Sequence, residues 1–264
     1  MTSAPRLLHP EDILPFGIEN EGGRSSILFI SDHAGVEIPQ RLGNLGLPPE
    51  ELSRHIAYDI GIYGVTTELA RRLDATYIFQ PYSRLVIDCN RRPGKPQSIR
   101  ADSDCTQVPG NAAMSPADIR ARESEILEPY HAEIERVLRD RAATGRATVI
   151  VAMHSCTPRL RRDDRPRPWQ ICVIAHEDWR VGQALVDVLR QETDLSVGVN
   201  EPYVVDMEMD YTIPKHGEAR RLPYVEIELR QDLIADPATQ GEWAELLVDI
   251  FPKAVARSGV EARV

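Results

Sequence analysis

The sequence predicts an α/β fold in which a mixed, largely parallel sheet is covered by helices on both faces. Short apolar runs alternate along the chain with longer segments whose apolar residues recur at helical spacing. Strands that alternate with helices favour parallel pairing, and a parallel sheet needs helices over both faces to bury it. With 264 residues, of which 42% are hydrophobic, the chain can build one large core, so we expect a single domain over residues 1–264.

The first half of the chain is predicted to contain three strands, one helix and a long loop. The run SSILFI at 25–30 is apolar and ends where small residues allow a sharp turn, as a buried strand does. Apolar residues at helical spacing predict a helix at 59–73, and short strands follow at 76–79 and 85–87. The stretch 91–109 is rich in Pro, Gly, Ser and Asp, which predicts a loop long enough to carry function.

The second half of the chain continues the alternation of helices and strands. Pro116 suits the first position of a helix, because the N–H group that proline lacks would have no partner there. The apolar stripe behind Pro116 extends this helix to about residue 144. The elements predicted after it are strands at 148–153, 169–175 and 224–229, and helices at 179–192 and 238–256.

Two of the predicted strands end at a histidine. The strand at 25–30 is followed by the run SDHAG, which contains His33, and the strand at 148–153 is followed directly by His154. In open α/β sheets the functional crevice lies beyond the carboxyl ends of the strands, so we expect the two imidazoles to share one cleft. A single histidine at a strand end is more often a structural hydrogen-bonding residue. The repetition favours a metal site.

The segment VEIELR at 225–230 predicts a buried strand that carries charge on one face. Side chains alternate along a strand, so the three apolar residues point one way and Glu226, Glu228 and Arg230 the other. Charge inside a sheet is costly unless it is paired, bound to a metal or used in chemistry. The alternative is an exposed edge strand with a ladder of Glu and Arg. The two strands that end in histidine favour a functional site.

The composition argues against a nucleic-acid or membrane-surface partner. The net charge is −10 and the pI is near 5.3. The four cysteines show no paired spacing, which suits a reducing cytoplasm better than a disulfide framework or a zinc ribbon. No apolar run approaches the roughly 20 residues of a membrane span, and the N-terminal residues lack the pattern of a signal peptide. We therefore expect a soluble cytoplasmic protein; the sequence does not indicate its oligomeric state.

A second charged cluster lies in the run YSRLVIDCNRR at 82–92. It places Arg84, Arg91 and Arg92 around a predicted strand, together with Asn90. A guanidinium group can hold a carboxylate through two parallel hydrogen bonds, so the cluster could anchor an anionic substrate. The alternative is a solvated basic edge that pairs with the acidic surface. The position of the cluster, before a long irregular loop in an acidic chain, favours the anion site.

Taken together, these motifs resemble the N-formylglutamate amidohydrolase family. The resemblance rests on their order over nearly the whole chain, since each short motif alone is weak. The matching runs are SDHAGVEIP, HIAYDIG, YSRLVIDCNR, PGN at 109–111, HSCTP, NEPY at 200–203, HG at 216–217 and VEIELRQDL. The family is similar in turn to the zinc carboxypeptidases and related deacylases. The resemblance implies a three-layer αβα fold like that of the zinc exopeptidases (phosphorylase/hydrolase-like), hydrolysis of N-formyl-L-glutamate to formate and L-glutamate, and a place in histidine degradation.

The resemblance also implies a metal centre with two histidine ligands and one carboxylate ligand. The histidines fall on His33 and His154. In the carboxypeptidases the carboxylate stands three residues after the first histidine, but here that position is Val36. The candidates are Glu37 and Asp59; the family run HIAYDIG favours Asp59, whose alternative role is to cap a helix. Zinc, or another divalent metal, held in this way keeps a position open where it activates water and polarises a carbonyl.

The remaining roles that the resemblance implies concern catalysis and the substrate, a small anionic N-acyl amino acid. Glu228 matches the late strand glutamate and is expected to act as the general base, rather than Glu226. Arg84, Asn90 and Arg91 match the residues that hold the substrate carboxylate. The weaker candidates are His216 for the oxyanion or the substrate, and Asn200, Tyr203 and Arg230 for the cleft. Two alternatives stay open: a hydrolase of another N-acyl amino acid, and a non-catalytic binding protein that keeps the fold.

Overall fold

The structure, a computed structural model, describes residues 6–163 and 165–260. Its strands are β1 (Gly17–Glu19), β2 (Ile27–Ser31), β3 (Thr76–Phe79), β4 (Asp102–Ser103), β5 (Thr106–Gln107), β6 (Val149–Cys156), β7 (Ile171–Ile174), β8 (Val197–Val199) and β9 (Tyr224–Arg230). Its α-helices are α1 (Pro49–Leu52), α2 (Ile62–Arg72), α3 (Pro116–Arg122), α4 (Glu128–Ala143), α5 (Arg180–Glu192) and α6 (Pro237–Ser258). Short 3-10 helices lie at Gln40–Leu42, Pro109–Asn111 and Gln231–Leu233, and π-helical segments at Glu123–Leu127 and Ile213–Glu218. None of the helices within the described ranges combines the length and the hydrophobicity that a membrane span requires.

Seven of these strands form one mixed sheet in the order β1-β3-β2-β6-β9-β7-β8. The pairs β3/β2, β2/β6, β6/β9 and β7/β8 are parallel, whereas β1/β3 and β9/β7 are antiparallel. The strands β4 and β5 form a separate hairpin. The sheet is therefore mixed and largely parallel, as predicted. Its parallel centre brings the carboxyl ends of β2, β6 and β9 to the same edge.

Helices cover both faces of the sheet, and each face has its own hydrophobic core. On one face the buried residues Phe29, Val151 and Ile227 lie in a cluster with residues of α2, α5 and α6. On the other face Ile150 lies in a second cluster with Ile134 and other residues of α4. Each central strand contributes alternate residues to the two cores, because neighbours along a strand point to opposite faces. The predicted three-layer αβα arrangement is confirmed.

One predicted strand is wrong. Residues 85–87 form a turn rather than a strand, although they are buried as deeply as a central strand would be. The backbone is satisfied by side chains instead of a neighbouring strand: Arg122 donates to the carbonyl oxygen of Val86, and Asn111 to that of Leu85, both at 2.8 Å. The run is apolar because it is buried, and these hydrogen bonds allow irregular backbone to lie inside the core.

Three smaller differences concern irregular or very short elements. The loop predicted at 91–109 contains the hairpin of β4 and β5. The helix predicted at 116–144 is interrupted by the π-helical segment Glu123–Leu127, next to Pro129, which has no N–H group to donate within a helix. The strands β1 and β8 were not predicted, because three residues are too few to show a period.

Candidate active site

A cleft of about 480 Å³, lined largely by charged and polar side chains, opens at the carboxyl ends of β2 and β6. The two strands are parallel neighbours, so the histidines near their ends come side by side. The rings of His33 and His154 have centroids 5.1 Å apart, and both residues are buried and line the cleft. The structure therefore brings together the two imidazoles that the sequence places at strand ends.

A buried carboxylate joins the two histidines. Asp59 Oδ2 lies 2.9 Å from Nδ1 of His154 and 3.4 Å from Nδ1 of His33. One possible ligand atom from each of the three residues lies within 4.8 Å of the others. Glu37, the other candidate for the third ligand, is exposed and does not belong to this group. The three residues form a possible metal site with Asp59 as its carboxylate.

Close backbone contacts bring Asp59 to His33. A Cβ atom on Gly35 would lie 1.8 Å from the carbonyl oxygen of Pro81, so the turn after His33 has no room for a side chain. The N–H group of Asp59 donates to the carbonyl oxygen of His33 at 2.9 Å. Gly61, with a φ of +80° that favours glycine, is the N-cap of α2. Asp59 therefore does not cap this helix, and its carboxylate faces the histidines.

Each histidine directs its other ring nitrogen to a further buried carboxylate. Nε2 of His33 lies 2.7 Å from Asp88 Oδ1. Nε2 of His154 lies 3.5 Å from Asp32 Oδ2, which is long for a hydrogen bond. A carboxylate in this position favours the tautomer with its proton on Nε2, which leaves the Nδ1 lone pair for a ligand. In both rings Nδ1 is the atom that faces Asp59.

The surroundings keep both outer carboxylates ionised. Asp32 Oδ1 accepts hydrogen bonds from two hydroxyl groups, those of Tyr130 and Thr212, at 3.0 and 2.7 Å. Burial opposes ionisation of Asp32, but the contact with His154 lowers its pKa to about 2. Burial likewise opposes ionisation of Asp88, but Arg84 and His33 hold its pKa well below the usual range. Both carboxylates can therefore accept a hydrogen bond from the Nε2–H group of a histidine at neutral pH.

The strand β9 presents two glutamates to the same cleft. Its apolar residues pack in the core, whereas Glu226 and Glu228 line the cleft, each only 7% exposed, so the strand alternates as predicted. Glu228 lies in register with His154 on β6. Burial raises the pKa of Glu228 to about 8, and Oε2 has no hydrogen-bond partner within the described part of the chain. A buried carboxyl group of this kind can take up and release a proton near neutral pH.

Two arginines of the predicted anion cluster, Arg84 and Arg91, line the cleft, but both already contact carboxylates. Arg84 donates to Asp88 at 2.6 Å and to Asp59 Oδ1 at a long 3.4 Å. Arg91 forms an ion pair with Asp210. Arg84 therefore supports the carboxylates around the histidines, and Arg91 is held in place at the wall of the cleft.

Asn90 also lines the cleft, between these arginines in sequence. Its Oδ1 accepts the backbone N–H groups of Tyr211 and Thr212 at 3.3 and 3.1 Å. This arrangement leaves the amide N–H groups of Asn90 as donors. Arg92 lies outside the cleft and donates to the carbonyl oxygen of Met207.

Of the three weaker candidates for the cleft, the structure brings one there. Tyr203 lines the cleft. Asn200 does not: its side chain accepts the backbone N–H of Ala175 at 3.1 Å at the end of β8. Arg230 does not either, because its guanidinium turns away to Asp232 at 2.8 Å. These contacts correct the expectation that Asn200 and Arg230 line the cleft.

His216 is buried behind the cleft rather than in it. Its Nε2 lies 2.9 Å from Nδ1 of His131, whose own Nε2 lies 2.8 Å from the carbonyl oxygen of Cys89. Because a carbonyl needs a donor, His131 carries its proton on Nε2 and accepts from His216. Burial lowers the pKa of His131 to about 4 and that of His216 well below its usual value, so both rings are neutral. The π-helical segment Ile213–Glu218 directs the ring inward, which corrects the expectation that His216 contacts substrate.

Sequence reasoning missed several charged residues of this region. Asp32 and Asp88 contact the histidines and lie within the motifs SDHAG and IDCNR, so these motifs could have indicated them as site residues. Arg100 and Arg162 also line the cleft. Both lie in irregular segments without a periodic pattern, so their positions in the fold could not be predicted from the sequence.

Comparisons with known proteins identify the family and support the fold. The sequence model of the N-formylglutamate amidohydrolase family matches residues 25–235 of the chain. Among solved structures, the chain is similar to a gene product of Agrobacterium tumefaciens, with 33% identity and a TM-score of 0.91 over 95% of this chain and 98% of that one. It is also similar in fold to the N-formylglutamate amidohydrolase of Ralstonia eutropha, with 19% identity and a TM-score of 0.62 over 95% and 99% of the two chains. A comparison with curated proteins found no match.

Proposed function

The chain belongs to the N-formylglutamate amidohydrolase family, and we propose from this premise that it is a metal-dependent amidohydrolase that converts N-formyl-L-glutamate to formate and L-glutamate. The observation that carries the proposal is the buried group of His33, Asp59 and His154 in a cleft that also holds Glu228 and arginines. An amide bond is cleaved by water only when the carbonyl is polarised, the water is deprotonated and the leaving amine is protonated. The cleft holds residues suited to each of these tasks.

His33, Asp59 and His154 would suit a divalent metal such as zinc. Ligand atoms at about 2.0 to 2.2 Å from zinc lie roughly 3.3 Å apart in a tetrahedral site. In the structure, Asp59 Oδ2 lies 3.4 Å from His33 Nδ1 and 2.9 Å from His154 Nδ1, and one possible ligand atom from each residue lies within 4.8 Å of the others. A carboxylate ligand must be ionised, and although burial opposes this, the two histidines hold the pKa of Asp59 below its usual range. Two imidazoles and one carboxylate are a common donor set for catalytic zinc.

Glu228 is the residue that we assign to proton transfer. When bound, a divalent metal would supply Lewis-acid chemistry: it polarises the amide carbonyl, makes water more acidic and favours the carboxylate form of a nearby glutamate. Glu228 Oε2 then takes a proton from the attacking water and delivers it to the leaving amine. Glu226 lies two residues away on the same face, about 6 to 7 Å along the strand, and is too far to share this position.

Asn90 and Arg91 are the residues that we assign to the α-carboxylate of the substrate. Asn90 offers amide N–H groups, and Arg91 offers the part of its guanidinium that Asp210 does not occupy. Arg84 adds positive charge beside Asp59 and Asp88. A hydrogen bond between a charged donor and a carboxylate is stronger than one between neutral groups. Tyr203 closes the same cleft from the side of the loop after β8.

The proposal is tested by metal content and by formate release. Protein purified without chelator should contain about one zinc or other divalent ion per chain and should release formate from N-formyl-L-glutamate. Removal of the metal should abolish turnover, and zinc should restore it. N-acetyl- and N-succinyl-L-glutamate belong in the same assay, because a hydrolase of another N-acyl amino acid would prefer one of them. Protein that binds metal yet hydrolyses none of these substrates would support the non-catalytic alternative. A role in histidine degradation stays a prediction.

A further inference from the structure

The cleft contains four arginines, and they differ in whether a carboxylate already neutralises them. Arg84 contacts Asp59 and Asp88, and Arg91 contacts Asp210. Arg100 and Arg162 line the same cleft, but their guanidinium groups form no hydrogen bond or ion pair with any residue in the described ranges. The positive charge of these two arginines is therefore available to a ligand.

Two further acidic residues of the cleft, Asp104 and Asp206, are engaged elsewhere. Asp104 accepts the backbone N–H groups of Arg161 and Arg162 at 3.1 Å and a hydrogen bond from Arg54 at 2.8 Å. Asp206 accepts backbone N–H groups within its own turn. An acid that is already bonded in this way gains little by turning towards a further arginine. The side chains of Arg100 and Arg162 thus line a cleft whose aspartates are already bonded to other groups.

The position of Arg100 is unfavourable for an arginine without an anion. Burial lowers its pKa, and the positive charges of Arg84, Arg91 and Arg162 lower it further, whereas Asp88 opposes this. Three like charges around a half-buried guanidinium repel it, and a bound carboxylate would relieve the repulsion. The arrangement is that of an anion site.

We propose that Arg100 and Arg162 bind the side-chain carboxylate of the substrate and so make the cleft specific for acidic N-acyl amino acids. This inference rests on the proposed function, which already assigns the α-carboxylate to Asn90 and Arg91. An N-acylated glutamate carries two carboxylates, and each binds best with a cationic partner of its own; Arg100 is half-buried and Arg162 is exposed, so the second pair lies towards the solvent side of the cleft. In this proposal Asn90 and Arg91 bind the α-carboxylate, which all amino acids share. Arg100 and Arg162 bind the side-chain carboxylate, which distinguishes glutamate.

The test compares two substrates that differ in a single group, N-formyl-L-glutamate and N-formyl-L-glutamine. Arg100→Ala should lower kcat/KM for the glutamate substrate roughly 10- to 100-fold, mainly by raising KM, because a hydrogen bond to a charged group is lost. The same variant should change turnover of the glutamine substrate little, which also shows that it folds. Arg162→Ala should act in the same direction, and Arg100→Lys should retain part of the preference. Arg161→Ala is the matched control, since Arg161 lies in the same segment but pairs with Glu51 at the surface.

Equal losses on both substrates would overturn the inference, because they would place Arg100 at the α-carboxylate or in the fold; no loss on either would overturn it as well. Calorimetric binding of L-glutamate and of L-glutamine separates this inference from the proposed function. If the parent protein cleaves neither formyl substrate, the proposed function fails. Weaker binding of L-glutamate to Arg100→Ala, with L-glutamine binding unchanged, would still support the site, and equal binding of L-glutamate by parent and variant would reject it.

Discussion

Replacing Glu228 by Gln separates proton transfer from the other tasks of the cleft. The amide keeps the size of the side chain but cannot accept a proton from water. Because Gln has the same shape and Glu228 is not one of the three proposed metal ligands, we expect Glu228→Gln to keep metal and substrate binding. Its turnover should fall roughly 100- to 10,000-fold, which corresponds to an activation barrier higher by about 3 to 5 kcal/mol. Losses of this size are typical of acid–base catalysis. The assay is formate release from N-formyl-L-glutamate with saturating zinc, beside metal analysis of the same sample.

The same substitution should stabilise the metal-free protein at high pH. Burial raises the pKa of Glu228 from its ordinary value of 4.5 to about 8. Between these values the folded protein keeps a proton that the unfolded chain releases, so the free energy of unfolding falls as the pH rises. The whole difference corresponds to at most about 5 kcal/mol. Chelator-treated Glu228→Gln should therefore be more stable than the parent at pH 8 in urea unfolding, and the gain should shrink towards pH 5.

Glu226→Gln is the matched control, because Glu226 lies on the same strand face at the same exposure. It should lose much less turnover, as it stands two residues from the position in register with His154. A Glu228→Gln variant that remains nearly as active as the parent would refute the assignment of the base. So would an inactive Glu226→Gln. A pH-independent difference in stability between Glu228→Gln and the parent would refute the argument from burial.

Three further substitutions test the rest of the site. His154→Ala should abolish metal retention in elemental analysis; an unchanged metal content would reject the ligand set. Arg91→Ala should mainly raise KM and cost about 2 to 5 kcal/mol of transition-state binding, as for a charged pair that excludes water, and steady-state kinetics on N-formyl-L-glutamate will measure it. Asp32→Asn should weaken zinc affinity roughly 10- to 100-fold in a competition titration, because the contact with Nε2 of His154 orients a ligand; an unaltered affinity would make this contact incidental.

The fold follows from the sequence wherever an apolar pattern is long enough to be read. The strands β6 and β9 and the helices α5 and α6 lie close to their predicted positions, because each has a clear period or a long apolar run. The turn at 85–87 shows the limit of this reasoning. An apolar run indicates burial, but the choice between strand and turn there depends on hydrogen bonds from Arg122 and Asn111, which stand 36 and 26 residues from their acceptors.

The same limit applies to the site. The rule for strand ends places His33 and His154 together, because parallel neighbours share an edge. It does not find Asp59, which stands 26 residues from His33 and had to be inferred from the resemblance. Nor does a motif reveal where a side chain points. His216 belongs to a matching run, yet a π-helical turn buries it against His131.

Charge balance gives an independent reason to expect a cation between the histidines. Five carboxyl groups meet around this region, those of Asp32, Asp59, Asp88, Glu226 and Glu228, and all are buried. Within the described part of the chain, the groups that can carry positive charge and that contact the three aspartates are His33, His154 and Arg84. Burial raises the pKa of both glutamates, since neither forms an ion pair with any residue that the structure describes. A divalent ion at Asp59 would offset this excess of negative charge and return Glu228 to the carboxylate form, in which it can accept a proton. The same cluster of buried carboxyl groups that destabilises the metal-free fold would therefore serve the proposed metal-dependent reaction.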